Sequence, residues 1–266
     1  ITDLSVDKLS ASDLKIFYKA LEDLPPTTVI VIAMTTYTPD KKKMNAFKKL
    51  IESVDKNGIV VEFSKKSQAD LKKPLMGWAA KRGLTLQPEN AAKIVEYTGT
   101  DLNTLKNEMD KLCAYVSEGE ITSDAVEMLV TKNLATRVFD MTDAVTSGNW
   151  DKAYKCLDLL FYQREEPVMI LSELSNTYTD MYRVRVAVES GMRAEDVAKD
   201  FDYKRREFRL KKAERASARL TTEDICSCLE CLAQVNTEMN SGSSNKRLLL
   251  EQLIAKLMMT GKRVRK

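Results

Sequence analysis

The sequence predicts a mostly helical protein that opens with a partial α/β unit. Three observations carry that expectation. Two apolar, β-branched runs, "TTVIVIAM" (27–34) and "IVVEF" (59–63), flank an amphipathic helical stretch. From residue 67 onward the apolar residues recur only at helical spacing. No apolar run approaches the roughly 20 residues that cross a bilayer, so no membrane association is expected.

The N-terminal elements follow in order. Ser10 and Asp13 resemble a capping box, with Asp in place of the usual Glu or Gln. The helix they open carries Leu14, Phe17, Leu21 and Leu24 on one face, and Pro25-Pro26 stops it. "TTVIVIAM" is apolar on both faces, as a buried parallel strand should be. After Pro39 a helix turns Met44, Phe47, Leu50, Ile51 and Val54 inward, with Lys41, Lys42, Lys43, Lys48 and Lys49 outward. Asn57-Gly58 ends it, and "IVVEF" reads as the next strand. Strand, helix and strand make a crossover unit of a parallel sheet. Two such strands need more neighbours to be buried, so residues 1–64 read as the tail of an α/β domain. "ITDLSVDKL" fits the end of one more strand, and the opening Ile1 predicts that further sequence precedes it.

A second block, 65–132, reads as helices only. Its first helix holds Leu71, Leu75, Trp78 and Ala79, with Pro74 predicting a bend or a later start. Pro88 suits the first turn of the next helix and Gly99 its C′ position. "GTDLNTLKNEMDKL" (99–112) then aligns Leu102, Leu105, Met109 and Leu112 as one apolar stripe. A short helix over 122–131 takes Thr122 or Ser123 as its cap.

The third block, 133–266, is a helical bundle. One helix ends at Gly148. The next presents Trp150, Ala153, Tyr154, Leu157, Leu160 and Phe161, and a long one runs from Glu166-Pro167 to about Ser190. A basic helix near 203–218, a helix over 221–240, the loop "SGSSN" and a helix over 245–260 complete it. The Tyr and Met stripes of this block have the spacing of a bundle core.

Composition removes several function classes. The 266 residues hold 42 basic and 39 acidic groups, a net charge of +3, which argues against a nucleic-acid coating protein. Histidine is absent, so no Ser-His-Asp, Cys-His or histidine-ligated metal site can form. The five cysteines, an odd count with no secretory signal, predict reduced thiols in a cytoplasm. "CSCLEC" (226–231) sits on a helix where residues two apart point different ways, and Cys228 falls on the apolar stripe with Ile225, Leu229, Leu232 and Val235. That pattern reads as packing, not metal binding.

A nucleotide site fails on the same grounds. A Walker A cradle needs upstream glycines before its Lys, and the one Gly-Lys pair, Gly261-Lys262, lacks them. The first arginine is Arg82, so residues 1–81 supply no arginine finger. No catalytic, cofactor-binding or metal-binding residue is assigned. Two basic patches can track a phosphate backbone: "KKKMNAFKK" (41–49), and "KRREFRLKKAERASAR" (204–219) with Lys204, Arg205, Arg206, Arg209 and Lys211. Both also fit solvated helix faces.

The order of "PPTTVIVIA", "GIVVEF", "GTDLNTLKNEMDKLCAYV", "ITSDAVEMLV", "RVFDMTDAVTSGNWDKAYKCLDLLF", "EEPVMILSEL" and "SGSSNKRLLLEQLIAKL" resembles the delta subunits of bacterial DNA polymerase III clamp loaders. The resemblance implies an incomplete AAA+-type α/β module (1–64), a small helical lid (65–132) and an α-helical collar (133–266). It implies a non-catalytic subunit of the polymerase holoenzyme that binds and opens the sliding clamp for loading onto primed DNA. The collar would join clamp-loader ATPase subunits and the delta-prime subunit. In ATP-using relatives an arginine of a "GSxRxxL" helix start senses the γ-phosphate; Leu102 stands at that position and is expected to serve the packing stripe instead. The family's clamp-binding element precedes the segment matching residues 1–9, so no clamp-contact residue is assigned. Two other readings stand beside this one: an active AAA+ ATPase whose P-loop lies upstream, and a helical nucleic-acid-binding adaptor that uses 204–219.

Overall fold

A computed structural model describes residues 1–35, 44–63, 66–203, 206–242 and 245–260. Chain contacts divide it into two compact units, 1–65 and 66–266.

In the first unit, α1 (Ala11–Glu22) starts where Ser10 accepts the Asp13 N–H at 3.2 Å and donates its hydroxyl to the Asp13 carboxylate at 2.6 Å. With α2 (Met44–Asn57) and a short 3-10 turn it buries a small core of Val6, Leu21 and Leu50. The expected strand–helix–strand crossover is not formed by the described residues. Residues 59–63 form no strand, and over 27–34 the pairing shrinks to one parallel bridge, Thr2 to Ala33. Around it Asp3 N–H donates to the Ala33 carbonyl at 2.7 Å, and Ala33 N–H to the Ile1 carbonyl at 2.9 Å. Val29, Ile59 and Phe63 are almost fully exposed. The reason is non-local. β-branched residues favour a strand only where a neighbouring strand supplies ladder hydrogen bonds and a covering layer.

The second unit begins with α3 (Gln68–Ala80), opened by a reciprocal Ser67–Asp70 capping box; the helix continues through Pro74 and does not start after it. Next come α4 (Pro88–Thr98), α5 (Leu102–Val116) and α6 (Ser123–Leu129). Gly99 caps α4 at φ +92°, a backbone region that side chains strain to enter, so glycine is required there. This block is not wholly helical. β1 (Leu84–Thr85) and β2 (Gly119–Glu120) pair in parallel, and Ile121 N–H extends the ladder to the Thr85 carbonyl at 2.9 Å. Two-residue strands carry too little alternation to read from sequence. The ladder ties the loop before α4 to the loop before α6, and the helices close over Leu75, Ile94, Leu105, Leu112 and Ile121.

The remaining chain is a helical bundle: α7 (Leu134–Ser147), α8 (Trp150–Tyr162), α9 (Pro167–Glu189), α10 (Val197–Asp200), α11 (Phe208–Ser217), α12 (Thr222–Asn240) and α13 (Lys246–Thr260). The 3-10 turn Ala194–Asp196 and α10 were not expected, and the basic helix starts at Phe208 instead of near 203. α9 is the central rod. Ile170, Leu174, Tyr178, Met181 and Val184 are buried along it against α7, α11 and α12. Asn149 caps α8 after Gly148 turns the chain at φ +76°.

Candidate functional site

The two basic patches separate once their surroundings are seen. On α2, Lys48 and Lys49 are exposed; Lys41, Lys42 and Lys43 lie outside the described residues. In the second patch Lys204 and Arg205 also lie outside them. Arg206 is exposed and donates to the Asp202 carbonyl at 3.1 Å. Lys211 pairs with Glu195 at 3.1 Å, and its neighbour Lys212 with Glu96 at 2.6 Å.

Arg209 corrects the expectation of a phosphate contact, because it is only 8% exposed. Its Nε donates to Asp180 at 2.7 Å and its Nη1 to Glu173 at 2.6 Å. Turning it to a phosphate would strand two carboxylates in a desolvated site. Tyr203 donates to the other Asp180 oxygen at 2.5 Å, and Arg183 donates to the Tyr203 hydroxyl at 3.0 Å. Burial first, then the Asp180 hydrogen bond, raises the Tyr203 phenol above its ordinary pKa. These groups border a polar cavity of about 290 Å³. Among its described lining residues three acids stand beside three arginines, and the Arg209 contacts clasp α9 to α11.

A second cluster joins α4 and α6 to the start of the bundle. Lys132 reaches Asp140 at 3.0 Å and Glu127 at 3.4 Å, and its ammonium lies 4.4 Å from the Tyr97 ring centre. Tyr97 donates its hydroxyl to Glu127, which also pairs with Lys93 at 2.7 Å. Burial acts to raise the Glu127 pKa, but the Lys93 and Tyr97 hydrogen bonds and the Lys132 charge outweigh it and hold it near about 2. Thr136 donates to the Glu96 carbonyl at 3.0 Å and Asn133 N–H to the Tyr97 carbonyl at 2.7 Å. Lys132 thus anchors a polar junction, its partners lying five residues (Glu127) and 35 residues (Tyr97) before it and eight residues (Asp140) after it. The sequence offered no pattern to find it, because its members share no periodicity.

Leu102 is the other correction. It heads α5, but its side chain is 46% exposed while Leu105, Met109 and Leu112 are buried. The stripe therefore begins at Leu105. In the first turn of α5 the cap is made by Asp101, which accepts the Thr104 N–H at 2.7 Å. Leu102 neither packs in the core nor carries a group able to read phosphate.

Cys228 lies in the core with Ile225, Leu232 and Val235, and burial pushes its thiol up to about 12. Among the described residues no group of three or more Cys, Asp or Glu side chains is arranged to hold a metal ion.

A family model described as the DNA polymerase III delta subunit, C-terminal domain, matches residues 135–257, nearly the whole α7–α13 bundle. That match spans just under half of the chain. Similarity to delta subunits extends beyond that bundle. The chain is 26% identical over 234 residues to DNA polymerase III subunit delta of Bacillus subtilis, covering 88% of this chain and 65% of that protein. It is 25% identical over 177 residues to a probable DNA polymerase III subunit delta of Aquifex aeolicus, covering 65% of this chain and 49% of that one. The chain thus spans less than two thirds of either relative. The solved DNA clamp loader delta protein of Bacillus subtilis shares the fold at a TM-score of 0.59 and 24% identity, over 92% of this chain and 71% of that structure. The family match therefore falls on the α7–α13 bundle, and the Arg209 clasp lies within the matched residues.

Proposed function

We propose that the chain acts as a non-catalytic, delta-type subunit of a bacterial clamp loader in the cytoplasm. Residues 1–64 serve as part of an AAA+-type module, 65–132 as its lid and 133–266 as the collar. The collar joins ATPase subunits and a delta-prime subunit, and the assembly opens the sliding clamp for loading onto primed DNA. The observation that carries this reading is the delta-type match across α7–α13. The exposed Leu102 supports the non-catalytic role, since it stands where the resemblance puts a phosphate-sensing arginine. The Lys132 cluster suits a mechanical part: it ties the lid helices to the bundle through several polar links, so a push on one is passed to the other.

Co-expression with the ATPase and delta-prime subunits of the same organism tests it. The chain is expected to co-elute with them as one complex and, alone, to bind no labelled ATP analogue. Free elution of the chain away from all partners would remove the proposal, and ATP binding by the chain alone would favour an active ATPase.

A further inference from the structure

A charged surface outside both predicted basic patches has a different character. It lies on α3 and the facing side of α5. Trp78, Lys81, Arg82 and Lys106 meet there around a cavity of about 150 Å³ whose floor includes Met109 and Cys113. The single acid at its rim, Asp110, is taken by Arg82 at 2.6 Å. Lys81 and Lys106 are exposed and make no ion pair among the described residues. Lys73, also exposed and likewise without an ion pair among the described residues, lies on the helix face that continues through Gly77 and Lys81, four residues apart each time. Gly77 is exposed, and a side chain added there would meet nothing within 4 Å. The face therefore alternates cation, open gap, cation. A half-buried indole sits one residue from the gap.

We propose that this face binds single-stranded nucleic acid, with one base stacked on Trp78 and the flanking phosphates held by Lys73, Lys81 and Lys106. The chemistry is that of strand-tracking surfaces in general: cations follow the backbone, and an aromatic ring accepts any base. The cavity is too small for a whole nucleotide triphosphate in a pocket and large enough for a ring edge entering beside the indole. The bare Gly77 lets the backbone approach the helix without collision. Selecting DNA as the strand rests on the clamp-loader reading; the binding face itself does not.

The chain carries two tryptophans, so a Trp150→Phe variant makes Trp78 the sole indole reporter. Titrating that variant with oligothymidylate is expected to quench its fluorescence, and duplex of equal length to quench it less. In the otherwise unaltered chain, anisotropy of a labelled oligothymidylate reads affinity independently of that variant. The combined Lys73→Glu, Lys81→Glu and Lys106→Glu substitution, all at exposed positions, is expected to lower affinity at least about tenfold at low salt and to cut the log–log salt slope by about 2. Unchanged affinity in that variant, or equal loss on Lys48→Glu with Lys49→Glu alone, overturns the proposal; a quench no larger than with duplex overturns the stacking. Because the assay uses the isolated chain, failure to assemble with clamp-loader partners leaves its result legible.

Discussion

Arg209 on α11 and Asp180 on α9 form a buried ion pair, Nε to Oδ2 at 2.7 Å, with both side chains at most 10% exposed. A second carboxylate, Glu173, meets the same guanidinium at 2.6 Å. A residue that sequence alone placed on a solvent-facing basic helix is instead a rivet of the bundle. Hydrogen bonds from Tyr203 and Arg209 satisfy both oxygens of Asp180, which is what makes burying it affordable.

Asp180→Ala is expected to destabilise the bundle by about 3–5 kcal/mol, because it leaves the Arg209 charge buried with one partner fewer. Urea unfolding followed by circular dichroism reads this. Replacing Arg209 by Met together with Asp180→Leu should recover part of the loss, since no Arg209 charge is then left buried, while Glu173, its side chain 16% exposed, loses its partner. A double variant as unstable as the single one would contradict the stranded-charge explanation.

Glu127 gives the protein a specific acid sensitivity. Its folded pKa, about 2, lies below the ordinary 4.5. A depressed carboxyl contributes stability above its unfolded pKa and loses it as pH falls through the folded one. Melting temperatures measured between pH 6 and pH 2 should therefore show Glu127→Gln well below the parent at pH 6, with the gap closing between about 4.5 and 2. A gap constant across that range would mean the carboxylate charge is not what holds Lys93 and Lys132.

The Tyr178 hydroxyl is fully buried and has no hydrogen-bond partner among the described residues. Burial raises its pKa well above the ordinary value, so it stays neutral. Tyr178→Phe removes an unsatisfied polar atom while keeping the ring, and should raise stability by about 1 kcal/mol in denaturant unfolding. A loss of similar size would reveal a partner for the hydroxyl.

Thiol labelling separates the cysteines by burial. Cys226 and Cys231 are half-buried, whereas Cys113, Cys156 and Cys228 are buried. An aromatic disulfide reagent at pH 8 is expected to modify two thiols quickly and the rest only on unfolding, because thiolate formation at Cys228 is suppressed by its environment. Rapid loss of all five thiols would mean that the bundle opens readily.

Local rules accounted for most of the helices. The caps at Ser10, Ser67, Thr122 and Thr221, and the stops at Gly99 and Gly148, bond or bend within a few residues, so their chemistry is legible in the order of the chain. Leu105, Met109 and Leu112 obeyed their stripe, but Leu102, on the same period, did not. It is the first residue of α5 and stays 46% exposed among the described residues. Periodicity names a face; it does not say how far the covering layer extends.

What the sequence settled by itself was therefore helical character, most of the places where helices begin and end, and the lack, in these 266 residues, of histidine and of a Walker A pattern, because each depends on residues a turn or two apart or on composition alone. Tertiary structure decided the rest. It left the β-branched runs 27–34 and 59–63 without a sheet among the described residues, built a two-residue parallel ladder from Leu84 and Gly119, buried Arg209, exposed Leu102, and gathered Trp78 with Lys81, Arg82 and Lys106. Each of those outcomes turns on partners brought from distant parts of the chain or from another helix. Burial and ladder pairing belong to such encounters, and no short window of sequence contains both parties.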